Sequence, residues 1–176
     1  MECKCRQSST NRITASAHIP RSHAGNFILV NSGSTIVWES FKNPTDTLLP
    51  NQSLELDDKL TCRLTETNYT RGRFQLSLEG GNVILNPLAW PTQFPYDSYY
   101  GIDAFDSASR LVFDELGDIY IETTNGTRIE AQGPKWVNLT LDPKVNYYRA
   151  TLDFNGVFTQ YGHPRGSIAQ QGLSSM

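Results

Sequence analysis

Residues 25–50 read GNFILVNSGSTIVWESFKNPTDTLLP. Asn26-Phe27-Ile28-Leu29-Val30-Asn31 is dominated by β-branched and apolar types that fit a pleated surface, Asn31-Ser32-Gly33-Ser34 supplies turn chemistry, and Thr35-Ile36-Val37-Trp38 returns. The stretch predicts a hairpin. Beyond Glu39-Ser40-Phe41, the run Asn43-Pro44-Thr45-Asp46-Thr47 fixes one backbone angle through proline and offers side chains that bond nearby main chain. An ordered corner is therefore expected before Leu48-Leu49-Pro50.

Downstream, the chain repeats the hairpin pattern. GRFQLSLEGGNVILN at 72–86, SRLVFDELGDIYIE at 109–122 and YRATLDFNGVFTQY at 148–161 each alternate apolar and polar residues, turn at glycine, and resume as a strand. Repeats of this length bury their apolar faces by packing on one another. The expectation is an all-β fold, with three small sheets in a closed, roughly threefold arrangement. Eight Tyr, eight Phe and three Trp agree with strands rather than helices.

The run TIVWESFKNPTDTLLPNQ at 35–52 resembles the end of the first bulb-type lectin domain of plant G-type lectin S-receptor-like serine/threonine protein kinases. LTETNYTRGRFQLSLEGGNVILNP at 64–87 and YYRATLDFNGVFTQYGHPR at 147–165 resemble the same ectodomain, in the same order. The resemblance implies a β-prism II fold, with the end of one lectin domain at 24–52 and a second, degenerate one at 53–161. Residues 1–23 match nothing in it, as in a fragment or truncated product, and are expected to be disordered and foreign to the fold; the tail 162–176 is also expected to be disordered. With the front of the first prism missing, apolar faces near Phe27, Leu29 and Val37 are expected to stand uncovered.

In bulb lectins a Gln-x-Asp-x-Asn-x-Val-x-Tyr strand holds mannose. Laid on this chain, the three copies fall on Ser22, Ala24, Asn26, Ile28 and Val30, on Leu78, Gly80, Asn82, Ile84 and Asn86, and on Asp114, Leu116, Asp118, Tyr120 and Glu122. No copy is intact. The resemblance implies sugar contacts at Asn26, Asn82, Asp118 and Tyr120, whereas turn chemistry alone accounts for Asn26, Asn82 and Asp118, each of which follows a glycine. The implied partner is a mannose-type glycan, or a peptide or protein ligand, met at the extracellular face of the plasma membrane. Rival readings are an interaction or dimerisation module that has lost sugar binding, and a truncated product without function.

PLAWPTQFPYDSYYG at 87–101 is a long loop in which prolines exclude both a helix and a central strand. Trp90, Phe94, Tyr96, Tyr99 and Tyr100 suit either a sugar-stacking platform or a plug for the open end of the core, and the plug is favoured because large aromatics dominate cores. Asn51, Asn68, Asn125 and Asn138 head glycan acceptor sequons.

Fifteen Lys and Arg against eighteen Asp and Glu, a net charge of -3, carry no basic run, which argues against nucleic acid and a polybasic membrane anchor. No window approaches the roughly eighteen apolar residues of a membrane span, and no secretory signal stands at residue 1. Cys3 and Cys5 lack the spacing of a zinc site, and Cys62 reads as a half-buried strand residue, so neither a metal nor a cofactor is expected. His18, His23 and His163 have no motif partner, the pairs Asp57-Asp58 and Asp114-Glu115 would face opposite sides of a strand, and no kinase signature occurs. The expected role is recognition, not catalysis.

Overall fold

A computed structural model describes residues 25–104, 108–130 and 144–165, together with strand backbone at 3–4 and 13–16. Among these residues the fold is all-β, with one 3-10 turn, Ser40–Lys42. The opening hairpin forms as its sequence predicts: β3 (Ile28–Asn31) and β4 (Ile36–Glu39) pair antiparallel, and the Asn31 side-chain oxygen accepts from the amides of Gly33 and Thr35. β1 (Cys3–Lys4) and β2 (Ile13–Ser16) complete a sheet in the order β1-β2-β3-β4. The expectation that residues 1–23 are foreign to the fold is thus corrected for two runs. An unpaired edge on β3 would strand its amides and carbonyls, and Ile13-Thr14-Ala15-Ser16 supplies their partners.

Next, three short strands leave the corner in succession: β5 (Thr47–Leu48), β6 (Gln52–Glu55) and β7 (Lys59–Arg63). Each joins a different hairpin. β7 pairs with β8 (Arg71–Glu79), which turns into β9 (Asn82–Pro87) and is followed by β10 (Tyr100–Ile102). β6 pairs with β11 (Ala108–Phe113), itself joined to β12 (Ile119–Thr123) and β13 (Arg128–Glu130). β5 pairs with β14 (Asn146–Leu152), the partner of β15 (Phe158–Pro164). The result is three small antiparallel sheets around one core, each stitched to the others by the segment 47–63.

Each stitching strand gives that core one leucine, and Leu48, Leu54 and Leu60 have no exposed surface. Burying each one stabilises the fold by about 1.5–3 kcal/mol. They meet Leu76, Leu78, Leu111, Phe113, Ile121 and Leu152, the inward positions of the three hairpins. The domain boundary drawn at residue 52 therefore falls inside β6, and Thr47–Leu48 lies in the three-sheet body rather than before it. Two-residue strands carry no periodicity, and their allegiance is set by partners about a hundred residues away.

The hairpin turns close the ring. The Gly81 carbonyl accepts from the Ala108 amide at 2.9 Å, joining the first turn to the second sheet. Gly117, in the second turn, lies under the Tyr148 ring of β14, and Gly156, in the third, faces the Phe74 ring of β8. A β-carbon on Gly156 would come within 2.8 Å of that ring, so only glycine permits the contact. Elsewhere, Phe27 and Val37 are exposed as expected, while Leu29 is half-buried. Cys62 is fully buried rather than half-buried, its sulfur accepting from the Phe74 amide at 3.3 Å, and burial pushes the thiol pKa up.

Candidate functional site

The outward face of β12 carries Tyr120 and Glu122, with Asp118 immediately before the strand, because alternate residues of a strand share a side and Ile119 and Ile121 take the core. This face is occupied by the chain's own cations. Arg128 on β13 donates to Asp118 Oδ2 at 3.3 Å, its Nη1 lies 3.9 Å from Asp114 Oδ2, and its guanidinium carbon sits 4.0 Å above the Tyr120 ring centre. Arg110 holds Glu122 through Nε at 3.2 Å and Nη2 at 3.0 and 3.1 Å. Asp114 Oδ1 accepts from the Leu116 and Asp118 amides, at 3.0 and 2.9 Å, which shapes the turn. Arg128 carries no signal in the sequence as a partner of Asp118, since only the β12–β13 pairing brings the two together.

Of the other two candidate positions, Asn82 opens β9 and Asn26 lies just before β3, and both bond within the chain. Asn82 Oδ1 accepts from the Ala104 amide at 2.9 Å, and Asn86 Nδ2 donates to the Tyr96 carbonyl at 2.8 Å. Asn26 is no hairpin-turn residue. Its Oδ1 accepts from Ser40 Oγ and the Phe41 amide, both at 3.1 Å, and its Nδ2 donates to Glu39 Oε2 at 2.9 Å, pinning the corner after β4. Hydrogen bonds from Lys42 and Asn26 hold the Glu39 carboxyl below its usual range. Asn26 and Glu39 line a groove of ≈ 660 Å³ with Gln52, Glu55 and Asp58. Buried Gln52 fastens that corner to the body, accepting from the Leu49 amide and donating to the Phe41 carbonyl, each at 3.0 Å.

The loop 88–99 departs most from expectation. Trp90, Phe94 and Tyr96 are 67%, 71% and 57% exposed, so they do not plug the core. Leu88 takes the buried position instead. The loop backbone then closes on itself and on β8 and β9: Leu88 to the Arg73 carbonyl at 2.7 Å, Ala89 to Phe94 at 2.8 Å, Tyr96 to Pro87 at 2.9 Å and Tyr99 to Leu85 at 3.0 Å. These bonds point the larger rings outward. Only Tyr99 and Tyr100 turn back, Tyr99 meeting Phe74 edge-on at 5.8 Å and donating its hydroxyl to the Gly156 carbonyl. The outcome is an ordered scaffold on which Trp90, Phe94 and Tyr96 stand out and Tyr99, hydrogen-bonded inward, keeps 43% of its surface exposed, next to a hollow of ≈ 200 Å³ lined by Tyr99, Tyr100, Asn155 and Phe158.

Burial pushes the Tyr99 phenol up to about 12. A raised folded-state value favours the neutral form, so this contribution to stability is complete below about pH 10, the ordinary tyrosine value, and is lost as pH climbs toward 12. Thermal melts of wild type and Tyr99→Phe are expected to differ most at neutral pH and to converge between about pH 10 and 12. A constant gap across that window would show that the phenol, which keeps 43% of its residue's surface exposed, does not titrate as a partly desolvated donor.

Asn51, Asn68 and Asn125 are exposed, and Asn138 lies outside the described residues. Asn68 Oδ1 accepts from the Thr70 amide at 3.0 Å and the Thr70 hydroxyl at 2.8 Å, a compact turn within its sequon. Among the described residues no three His, Cys, Asp or Glu side chains gather as metal ligands, and no helix is long and apolar enough to cross a membrane. Cys3, Cys5, His18, His23 and the tail from 166 fall outside what can be described of side chains.

No family model matches the chain. It is 41% identical over 151 residues to the G-type lectin S-receptor-like serine/threonine-protein kinase LECRK3 of Oryza sativa subsp. indica, covering 83% of this chain and 18% of that protein. With the corresponding kinase RLK1 of Arabidopsis thaliana the identity is 42% over 115 residues, 59% of this chain and 14% of that one. The chain thus spans about a fifth or less of the length of the curated relatives it matches. Among solved structures, the Polygonatum cyrtonema lectin complexed with monomannoside superposes with a TM-score of 0.48 at 15% identity, over 73% of this chain and 99% of that one.

Proposed function

We propose that this chain, a homologue of about a fifth of the G-type lectin S-receptor-like serine/threonine-protein kinases, is a carbohydrate-recognising region of such a receptor, acting at the extracellular face of the plasma membrane. The kinase chemistry in those names needs motifs that these 176 residues do not contain, so the contribution of the chain is recognition. The ligand class is a mannose-type glycan, and its contact surface is the aromatic loop. The observation that carries this reading is the exposure of Trp90, Phe94 and Tyr96 on a backbone fixed by its own hydrogen bonds. Flat apolar rings suit the C–H face of a pyranose, and a scaffold already ordered does not lose that freedom on binding. Asn26, Asn82, Asp118 and Tyr120 serve the fold in this reading, since each exchanges its polar or aromatic surface with a neighbour in the chain.

The test is a tryptophan-fluorescence titration of the full chain with mannose oligosaccharides. Trp90→Ala is expected to weaken binding about tenfold or more, ~1.4 kcal/mol, while Asp118→Asn leaves it unchanged. Loss with Asp118→Asn and none with Trp90→Ala would return the site to the β12 face.

A second reading is favoured by one observation. β4 is the edge of its sheet and exposes Ile36, Val37 and Trp38, which suits pairing with a second copy through free main-chain groups. Sedimentation as a monomer at high concentration removes this reading.

A further inference from the structure

We propose that the groove beside Tyr69 binds the carboxylates of acidic oligosaccharides, chains of uronate sugars in particular. The groove, ≈ 570 Å³, lies between the corner at 44–46 and β7, and its charged lining is Lys59, Arg63 and Arg71 against a single carboxylate, Asp46. Asp46 already accepts from the hydroxyls of Thr45 and Thr47, at 3.3 and 3.0 Å. In a chain of net charge -3, three cations around one cleft form a local field of the opposite sign.

The strand pairing makes this field costly without a ligand. A register shift between Thr61 and Arg63 sets Arg63 directly opposite Arg71 on the antiparallel β7–β8 pair. Like charges at facing positions repel, and bulges re-aim side chains. No carboxylate of the described residues is bonded to Arg71 or Lys59. Arg63 reaches Asp153 only at 3.9 Å, and its Nε is buried without a hydrogen-bond partner. Guanidinium groups present forked donors that match a carboxylate. Tyr69, whose ring is 77% exposed and lies 5.6 Å from the Arg63 guanidinium carbon, adds a flat apolar face. A bare anion would use the cations and leave the ring idle; a neutral sugar would do the reverse. An acid group carried on a pyranose uses both.

The inference rests on the reading of the chain as a carbohydrate-recognising region, and it places a second, charge-selective contact away from the aromatic loop. Calorimetric titration of the full chain with a short oligogalacturonate, its methyl ester, a neutral mannose oligosaccharide and polyaspartate tests both. The acid is expected to bind, its ester about tenfold more weakly or worse, and the affinity for the acid to fall as salt rises. Lys59 and Arg71 are exposed, so Lys59→Gln/Arg71→Gln should melt as wild type does yet lose about tenfold or more in affinity for the acid. Equal binding of acid and ester, or unchanged affinity in the double variant, would overturn the proposal. Polyaspartate binding as tightly as the oligogalacturonate would overturn its saccharide half. Trp90→Ala separates the two readings: retention of acid binding with loss of the neutral sugar supports both, loss of acid binding overturns the groove, and acid binding by a chain that ignores neutral sugar leaves the groove standing and removes the aromatic-loop reading.

Discussion

Gly72→Ala is expected to destabilise the fold severely. A β-carbon at this position would lie 2.3 Å from the Arg63 carbonyl oxygen, 2.5 Å from Cys62 Sγ and 2.7 Å from the Arg63 carbonyl carbon. Two of these obstacles are backbone and the third belongs to a fully buried side chain, so none can swing aside. Relief requires β7 and β8 to separate, which breaks the bond from the Phe74 amide to Cys62 and opens the core at Leu60 and Leu76. The loss should exceed ~3 kcal/mol, the upper range for forced overpacking and a large share of the stability of a small domain. Gly80→Ala is the control. It has a positive φ of 57 but nothing within 4 Å of its missing β-carbon, so it should lose only ~1–2 kcal/mol. Chemical denaturation of both variants checks the pair, and equal losses would mean that the close approach at Gly72 is not tight.

Leu48→Ala is expected to lower stability by about 2–5 kcal/mol, the range for emptying a closed core position. Leu48 is wholly buried on a strand of two residues whose register with β14 consists of Leu48 opposite Ala150 and Thr47 opposite Thr151. Few backbone bonds hold β5, so the leucine is its main anchor, supported by the Thr47–Thr151 hydroxyl contact at 3.0 Å and the bond from the Leu152 amide to Asp46 at 2.7 Å. Leu56→Ala, at a position 50% exposed, should stay within about 0.5 kcal/mol. Urea unfolding followed by circular dichroism measures both, and a loss below 1 kcal/mol for Leu48→Ala would show that β5 is dispensable.

The three hairpins were legible because their signals are local: apolar residues at every second position and glycine between the runs at 80–81, 117 and 156. The stitching strands were not. Thr47–Leu48 and Gln52–Glu55 are too short for a period to show, and what makes them strands is pairing with β14 and β11, far along the chain. The candidate site was half legible in the same sense. Asp118 and Tyr120 declare their chemistry by residue type, but Arg128, which lies against both, is assigned to them only by the register of β12 with β13. In the loop 87–101, composition announced the aromatic rings and could not say which way they face. Leu88 is smaller and adjacent to β9, and its capture by the core decided the outcome for Trp90 and Phe94.

The stitching segment also has a meaning in time. Thr47 and Thr151, whose hydroxyls touch in the finished fold, are 104 residues apart in the chain. A polypeptide emerging from a ribosome therefore displays Leu48, Leu54 and Leu60 to the cytosol or to a translocation channel long before the hairpin that covers the first of them has been made. Topologies dominated by such distant pairings fold in milliseconds to seconds rather than microseconds. For this chain that interval opens only once β14 has been synthesised, and until then Leu48, wholly buried in the finished fold, lacks the strand that pairs with it.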